Sequence, residues 1–82
     1  MKSYHIHTEW KRGLGKVASR YFPAFTLTKG TGYWQGTKEV SATIEVLTAN
    51  PSKVNALAKE IKRVNKQMAV LVESMPVRER MV

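Results

Sequence analysis

Two histidines and a glutamate near the amino terminus have side chains suited to ligand or metal chemistry. His5, His7 and Glu9 occupy alternate positions, so a β-strand would project all three from one face. Two imidazoles at i and i+2 with a carboxylate, from Glu9 or from Glu45 on a neighbouring strand, are ligand types of a divalent-metal site. Alternating polar residues are more often simply the less buried face of a strand, and neither a cysteine nor a third histidine is present. We therefore predict no metal and expect the histidines to contact a ligand or a subunit interface.

A second candidate site lies in the glycine-rich stretch at residues 29–38. Glycines alternate there with cationic and hydroxyl side chains, so backbone N–H groups and two ammonium groups could converge on a phosphate. The spacing matches neither the dinucleotide fingerprint nor the P-loop. The alternative is a hairpin whose glycines serve turn geometry and whose two aromatics pack on the sheet or on a partner chain. The predicted ligand-binding set is Lys29, Thr31, Gly32, Tyr33, Trp34 and Lys38, with His5 and His7.

Cations are concentrated on the outward faces of the two predicted helices. They recur at helical spacing opposite the apolar stripes, in a chain with a formal charge of +8. Such a face is either merely solvated or a platform that binds nucleic-acid phosphates without reading bases. The residues are Arg12, Lys16, Arg20, Lys59, Lys62, Arg63 and Lys66.

Catalytic patterns are weak in this sequence. No defensible Ser/His/Asp arrangement is present, no pair of carboxylates is placed on one cleft by its spacing, and the absence of cysteine excludes thiol catalysis. We expect a protein without catalytic residues or a cofactor.

The elements that must position these side chains follow from hydrophobic periodicity. Alternation predicts strands at residues 2–10, 25–28 and 40–48 and a fourth from 68 to just before Pro76, whereas apolar stripes predict helices at 13–22 and 51–66. Pro23 stops the first helix, and Asn50 with Pro51 begins the second. This order is the βαββαβ pattern of an α+β, ferredoxin-like fold, with both helices on one face of a four-stranded antiparallel sheet.

The 82 residues suffice for one domain, predicted at residues 1–76, followed by a tail at 77–82 that frays or docks on a neighbouring subunit. A core this small makes oligomerisation a plausible source of stability. Because no stretch has the length of a signal peptide core or a membrane span, we expect a cytoplasmic protein.

The stretch Tyr33-Trp34-Gln35-Gly36, the following Lys38-Glu39 and the strand Ile44-Glu45-Val46-Leu47 resemble the CutA family, and so do the later helix and the strand Ala69-Val70-Leu71-Val72. The resemblance implies the ferredoxin-like core that CutA shares with PII signalling proteins and assembly as a trimer through the sheets. It also implies, from the PII branch, binding of nucleotides near the connection between strands two and three. The compact basic chain is similar to small bacteriophage proteins as well, which implies sequestering a host signalling nucleotide in the host cytoplasm or blocking a host protein.

Three functions remain open at this point. The first and favoured one is a non-enzymatic, oligomeric binder of a small anionic, nucleotide-like ligand. The second is a nucleic-acid binder that uses the basic helix face, because strands one and three offer no aromatics on the open sheet face for stacking. The third is a protein-interaction module that docks through Tyr33 and Trp34.

Overall fold

The computed structural model describes residues 1–67, 69–78 and 80, and it contains the predicted order of four strands and two helices. This order confirms the ferredoxin-like fold. The elements are β1 (Lys2–Glu9), α1 (Leu14–Ser19), β2 (Thr26–Trp34), β3 (Thr37–Thr48), α2 (Pro51–Val64) and β4 (Leu71–Pro76).

The four strands form one antiparallel sheet in the order β2-β3-β1-β4, so β1 and β3 are central and β2 and β4 are edges. Ile6 lies opposite Ile44 on one side and Val72 on the other, which places all three on the same face. Both helices cover that face. The core residues are Tyr4, Ile6, Leu14, Ala18, Phe22, Ala42, Ile44, Val46, Val54, Leu57, Ala58 and Ile61.

Helix α2 begins and ends at recognisable caps. The Asn50 side chain accepts a hydrogen bond of 3.2 Å from the backbone N–H of Lys53, and Pro51 occupies the first helical position. At the other end the Lys66 N–H donates to Arg63 O at 3.3 Å and the Gln67 N–H donates to Lys62 O at 3.0 Å, the two bonds of a Schellman motif. Lys66 takes the left-handed conformation with φ 54°, so the helix ends at Val64, two residues before the predicted end.

The connection between β2 and β3 is shorter than the sequence predicts. Both strands continue through the glycine-rich stretch, and only Gln35 and Gly36 form the turn, with φ of 49° and 79°. Two successive positive φ values are the signature of a type I′ hairpin turn. Gly30 and Gly32 are instead ordinary ladder residues opposite Ser41 and Glu39, so of the three glycines in this stretch only Gly36 serves the turn geometry that the hairpin alternative predicts.

Helix α1 and strand β4 also differ from their predicted bounds. Helix α1 ends at Ser19, and the chain continues to Phe22 as a turn in which the Phe22 N–H still donates to Ala18 O at 3.0 Å. Strand β4 runs from Leu71 to Pro76 rather than from residue 68 to just before Pro76; its predicted first residue, Met68, lies outside the described residues. Residues 79, 81 and 82 of the predicted tail also lie outside them, so its docking stays a prediction. Neither helix in the described part of the chain has the length and apolar character that crossing a bilayer requires.

Candidate functional site

His5 and His7 project from β1 onto the sheet face opposite the helices, where β4 supplies a glutamate between them. His7 Nε2 lies 2.7 Å from Glu73 Oε1, and His5 Nδ1 lies 3.4 Å from the same oxygen. In the sheet register Glu73 is directly opposite His5, so strand pairing fixes this approach. We call His5, His7 and Glu73 the histidine cluster.

The second nitrogen of each imidazole faces β3. Thr43 Oγ1 lies within hydrogen-bond distance of His7 Nδ1, at 3.2 Å, and His5 Nε2 lies 3.9 Å from Glu45 Oε2. Thr43 is opposite His7 and Glu45 is opposite His5 in the ladder. Each histidine therefore has one nitrogen toward Glu73 and the other toward a side chain of β3.

Ionisation of Glu73 is favoured by this arrangement. The hydrogen bond with His7 holds the pKa of Glu73 below the ordinary value of 4.5, partial desolvation of the carboxylate opposes that effect, and the nearby charges of His7 and His5 add to the lowering. The carboxylate that the cluster presents is thus an anion at neutral pH.

The structure corrects the predicted grouping of His5, His7 and Glu9, because Glu9 does not lie beside the histidines. Glu9 projects to the same face, but its carboxylate lies 3.7 Å from Lys11 Nζ at the end of β1, and Glu73 takes the place beside the histidines. Alternation along the fourth predicted strand is consistent with Glu73 on the open face. The pairing that sets Glu73 opposite His5 is a long-range register that no local pattern indicates.

The hairpin of β2 and β3 extends beyond the rest of the sheet. Strand β1 ends opposite Ser41, so residues 31–40 form a two-stranded ribbon without a third strand, which we call the hairpin arm. Tyr33 and Trp34 near its tip are 71% and 68% exposed. Within the described chain these aromatics do not pack on the sheet, so of the two predicted alternatives, their own sheet or a partner chain, the first is wrong and the second stays a prediction.

The predicted ligand-binding residues divide between the two faces of the sheet. Ladder pairing places Lys29 beside Ala42, Thr31 beside Val40 and Tyr33 beside Lys38, all on the face toward the helices. The remaining residues of the set, Gly32, Trp34, His5 and His7, lie on the opposite face. The residues of the one predicted site therefore lie on two separate surfaces. Neither surface is a loop that folds around a phosphate.

The surface of Lys29, Thr31, Tyr33 and Lys38, here called the basic arm face, combines two ammonium groups with a hydroxyl and a phenol. All four residues are exposed. Lys29 Nζ sits 4.9 Å from the centre of the Trp10 ring, a cation–π contact that holds the lysine near the base of the arm. With a rise of about 3.3 Å per residue, Lys29 and the Tyr33–Lys38 pair lie roughly 13 Å apart along the strands.

The seven cations predicted on the helix faces are all exposed, but three of them lie just outside the helices: Arg12 before α1, Arg20 at its C-cap and Lys66 after α2. Both helices lie on the same side of the sheet. Glu60 partly neutralises this surface, since its Oε1 lies 3.4 Å from Arg20 Nη1 and also 3.4 Å from Arg63 Nη2. Shallow depressions of about 300 Å³ and about 290 Å³ are lined in part by Arg12 and by Lys59 with Lys62, respectively. Sequence reasoning missed the glutamate because it considered only the cations.

No protein-family model matches the chain, and no match is found among curated proteins. Solved structures do match. CPII, a nitrogen regulatory PII-like protein from Thiomonas intermedia K12 bound to ADP, AMP and bicarbonate, superposes with a TM-score of 0.66 at 14% identity, over 99% of this chain and 94% of that chain. CutA1 from Pyrococcus horikoshii superposes with a TM-score of 0.67 at 13% identity, over 99% and 87%.

A phage SAM lyase in its apo state is also similar, with a TM-score of 0.59 at 22% identity over 90% of this chain and 78% of that chain. At these identities the likeness concerns the fold. The chain has the ferredoxin-like fold of CutA and PII-like proteins, which confirms the resemblance drawn from its sequence.

Proposed function

We propose that this protein is a homo-oligomeric, non-enzymatic binding protein for a small anionic, nucleotide-like ligand. The observation that carries the proposal is the basic arm face: two exposed lysines, a threonine and an exposed tyrosine share one side of a projecting hairpin. Ammonium and hydroxyl groups bind phosphate oxygens, and a phenol ring can stack on a base. Lys29 and Tyr33 are separated along the strand by a length that an extended nucleoside diphosphate spans.

Oligomerisation is supported by the exposure of the hairpin arm. A two-stranded ribbon is marginally stable in water on its own, and this one exposes Tyr33 and Val40 on one face and Trp34 on the other. A second copy of the chain that packs against the arm would cover these apolar groups. Its basic helix face could then supply cations to a ligand held between the two copies.

The nature of the ligand is supported by two structural neighbours. CPII was solved with ADP and AMP, and the phage enzyme is named for S-adenosylmethionine, so proteins of this fold meet adenosine-containing molecules. We infer a nucleotide with phosphates for this chain because its arm and its overall charge are basic. The phage neighbour also supports the inferred role of a phage protein that sequesters a host signalling nucleotide.

Native mass spectrometry of gently purified protein tests subunit number and retained ligand together. Calorimetric titrations with AMP, ADP, ATP and S-adenosylmethionine then measure affinity, and product analysis after incubation reports any turnover. Lys29→Ala and Lys38→Ala should each weaken binding about tenfold, the loss expected for one charge-assisted contact. Lys2→Ala is the matched control, because Lys2 is an exposed lysine at the opposite end of the sheet and should leave affinity unchanged.

Each result bears on one part of the proposal. A monomer that binds no nucleotide overturns it, whereas a monomer that binds one overturns only the oligomer. Consumption of S-adenosylmethionine overturns the non-enzymatic assignment. Equal losses of nucleotide affinity in Lys29→Ala and Lys2→Ala would show that the binding site does not lie on the arm.

Nucleic-acid binding is the second candidate, and one observation favours it. Within residues 1–67, 69–78 and 80, five of the seven predicted cations have no acidic group within ion-pair distance: Arg12, Lys16, Lys59, Lys62 and Lys66. Binding through this face would lose roughly a factor of 10³ or more between about 50 mM and about 200 mM salt and would ignore base sequence. Salt-insensitive or absent binding to a mixed-sequence duplex and single strand excludes it.

Docking on another protein through Tyr33 and Trp34 is the third candidate function. A double Tyr33→Ala, Trp34→Ala variant that stays folded but loses a defined host partner in pull-down would favour this candidate over the nucleotide. Because Tyr33 also belongs to the proposed nucleotide site, Trp34→Ala alone separates the two candidates: loss of the protein partner with unchanged nucleotide affinity favours docking.

A further inference from the structure

We propose that the histidine cluster is a divalent transition-metal site, with one ion per chain held by His5, His7 and Glu73. The site goes beyond the proposed nucleotide function and lies on the opposite face of the sheet from the basic arm face. The donor atoms of its three residues all lie within 4.8 Å of one another. Two imidazole nitrogens with one carboxylate are a recurrent first coordination shell for such ions.

The distances fit coordination after a small adjustment. Metal–ligand bonds of about 2.1 Å at a tetrahedral angle separate two donor atoms by roughly 3.4 Å. His5 Nδ1 and Glu73 Oε1 are already 3.4 Å apart, whereas His7 Nε2 and the same oxygen, at 2.7 Å, must separate. The Glu73 side chain is half exposed, so it can rotate to admit an ion.

The outer contacts of both histidines favour metal binding. A metal-ligating histidine commonly directs its second ring nitrogen to a carboxylate or another polar group, which fixes the tautomer and ring orientation. Here Thr43 Oγ1 is 3.2 Å from His7 Nδ1, and Glu45 Oε2 is 3.9 Å from His5 Nε2. Those contacts leave His7 Nε2 and His5 Nδ1, the two nitrogens nearest Glu73, to bind the ion.

The donor set also indicates which ions bind. Imidazole donors suit Zn²⁺, Cu²⁺ and Ni²⁺, whereas Mg²⁺ and Ca²⁺ prefer sites made wholly of oxygen donors. Three ligands leave at least one coordination position for water or for an anion. The cluster is partly exposed, and the ion should therefore exchange with solution.

The test is titration of the EDTA-stripped, untagged protein with ZnCl2, and with CuCl2 while electron paramagnetic resonance is recorded. We expect one saturable Zn²⁺ site per chain and a Cu²⁺ spectrum with nitrogen hyperfine splitting. Glu73→Gln, His5→Gln and His7→Gln should each weaken binding by about tenfold or more, and Thr43→Val by about tenfold through the outer contact. Glu39→Gln is the matched control, since Glu39 is an exposed glutamate of the same sheet face on the arm.

Circular dichroism verifies that every variant is folded. Absence of saturable Zn²⁺ binding, or fewer than one ion per chain, overturns the proposed site. Unchanged affinity in Glu73→Gln, or a Cu²⁺ spectrum without nitrogen ligands, does the same. Because no nucleotide is present, the outcome is independent of the proposed nucleotide function.

Discussion

The Nε2 atom of His7 lies 2.7 Å from Oε1 of Glu73, although the two residues are 66 positions apart in the chain. The contact joins the central strand β1 to the edge strand β4 on the open face of the sheet. On the other face, Val72 packs beside Ile6. Edge strand β4 is therefore held on both faces, by a polar contact on one and an apolar contact on the other.

The Glu73 carboxylate should make stability depend on pH in the metal-free protein. Because the pKa of Glu73 is lowered on folding, its contribution is present above the ordinary value of 4.5 and is lost as pH falls through the lowered pKa. We expect urea unfolding in EDTA to give a larger free energy of unfolding for the wild type than for Glu73→Gln. This difference should be larger at about pH 5.5 than at about pH 3. A gap that is the same at both pH values would contradict this prediction.

Asn65→Ala should destabilise the fold by about 1–3 kcal/mol, because it removes hydrogen bonds to partly buried groups. The Asn65 Nδ2 group donates to Thr8 Oγ1 at 3.1 Å and to the Glu9 carbonyl at 3.2 Å, which joins the end of α2 to β1. Asn55→Ala, at an exposed position of the same helix, is the control and should change stability by less than about 0.5 kcal/mol. Chemical denaturation measures the free energy of unfolding of both variants. Equal losses would show that the hydrogen bonds of Asn65 add nothing to stability.

Lys66→Gly should stabilise the protein by about 1 kcal/mol, because Lys66 has φ 54° at the position where a Schellman motif favours glycine. Lys59→Gly, in the interior of the same helix, should destabilise by about 1 kcal/mol. The two substitutions remove the same side chain, so opposite shifts of the thermal midpoint isolate the backbone effect. Destabilisation by both would contradict the assigned C-terminal cap.

The two glycines Gly36 and Gly30 of the hairpin should respond differently to alanine. Gly36→Ala forces a β-carbon into φ 79° and should cost about 1–2 kcal/mol. At Gly30 the added carbon would meet Ser41 Oγ at 3.6 Å, an ordinary contact, so Gly30→Ala should be neutral or stabilising by up to about 1 kcal/mol. Urea unfolding distinguishes them, and a similar loss in both would show that the turn is not confined to Gln35 and Gly36.

Alternation and helical spacing were sufficient to predict the fold, because the buried face of each element is decided by local pattern. The alternation of β1 put Ile6 on the core face and His5 on the open face, and the structure agrees. The hairpin was predicted, but its connection was predicted too long for a physical reason. Glycine usually marks a turn, but a ladder tolerates it where the facing residue is small, and Gly30 faces Ser41.

The histidine cluster could be predicted only in part. Strand periodicity placed both histidines and Glu73 on one face, but the residue opposite His5 depends on where β4 begins pairing. That register is a long-range pairing of β4 with β1, for which the residues of β4 carry no local signal. The placement of Tyr33 and Trp34 on opposite faces could be predicted from the sequence, because neighbouring residues of a strand point to opposite faces.

Trp34→Ala should have an effect that depends on protein concentration, because the proposed oligomer covers a side chain that is 68% exposed in the single chain. At concentrations where monomers predominate, the variant should match the wild type within about 0.5 kcal/mol. At higher concentrations the wild type should gain stability by mass action and the variant should gain less. Thermal unfolding across a concentration series, with light scattering for mass, measures this. Equal destabilisation at every concentration would show that Trp34 packs within its own chain. No difference between variant and wild type at any concentration would show that the open face of the arm is not part of the interface.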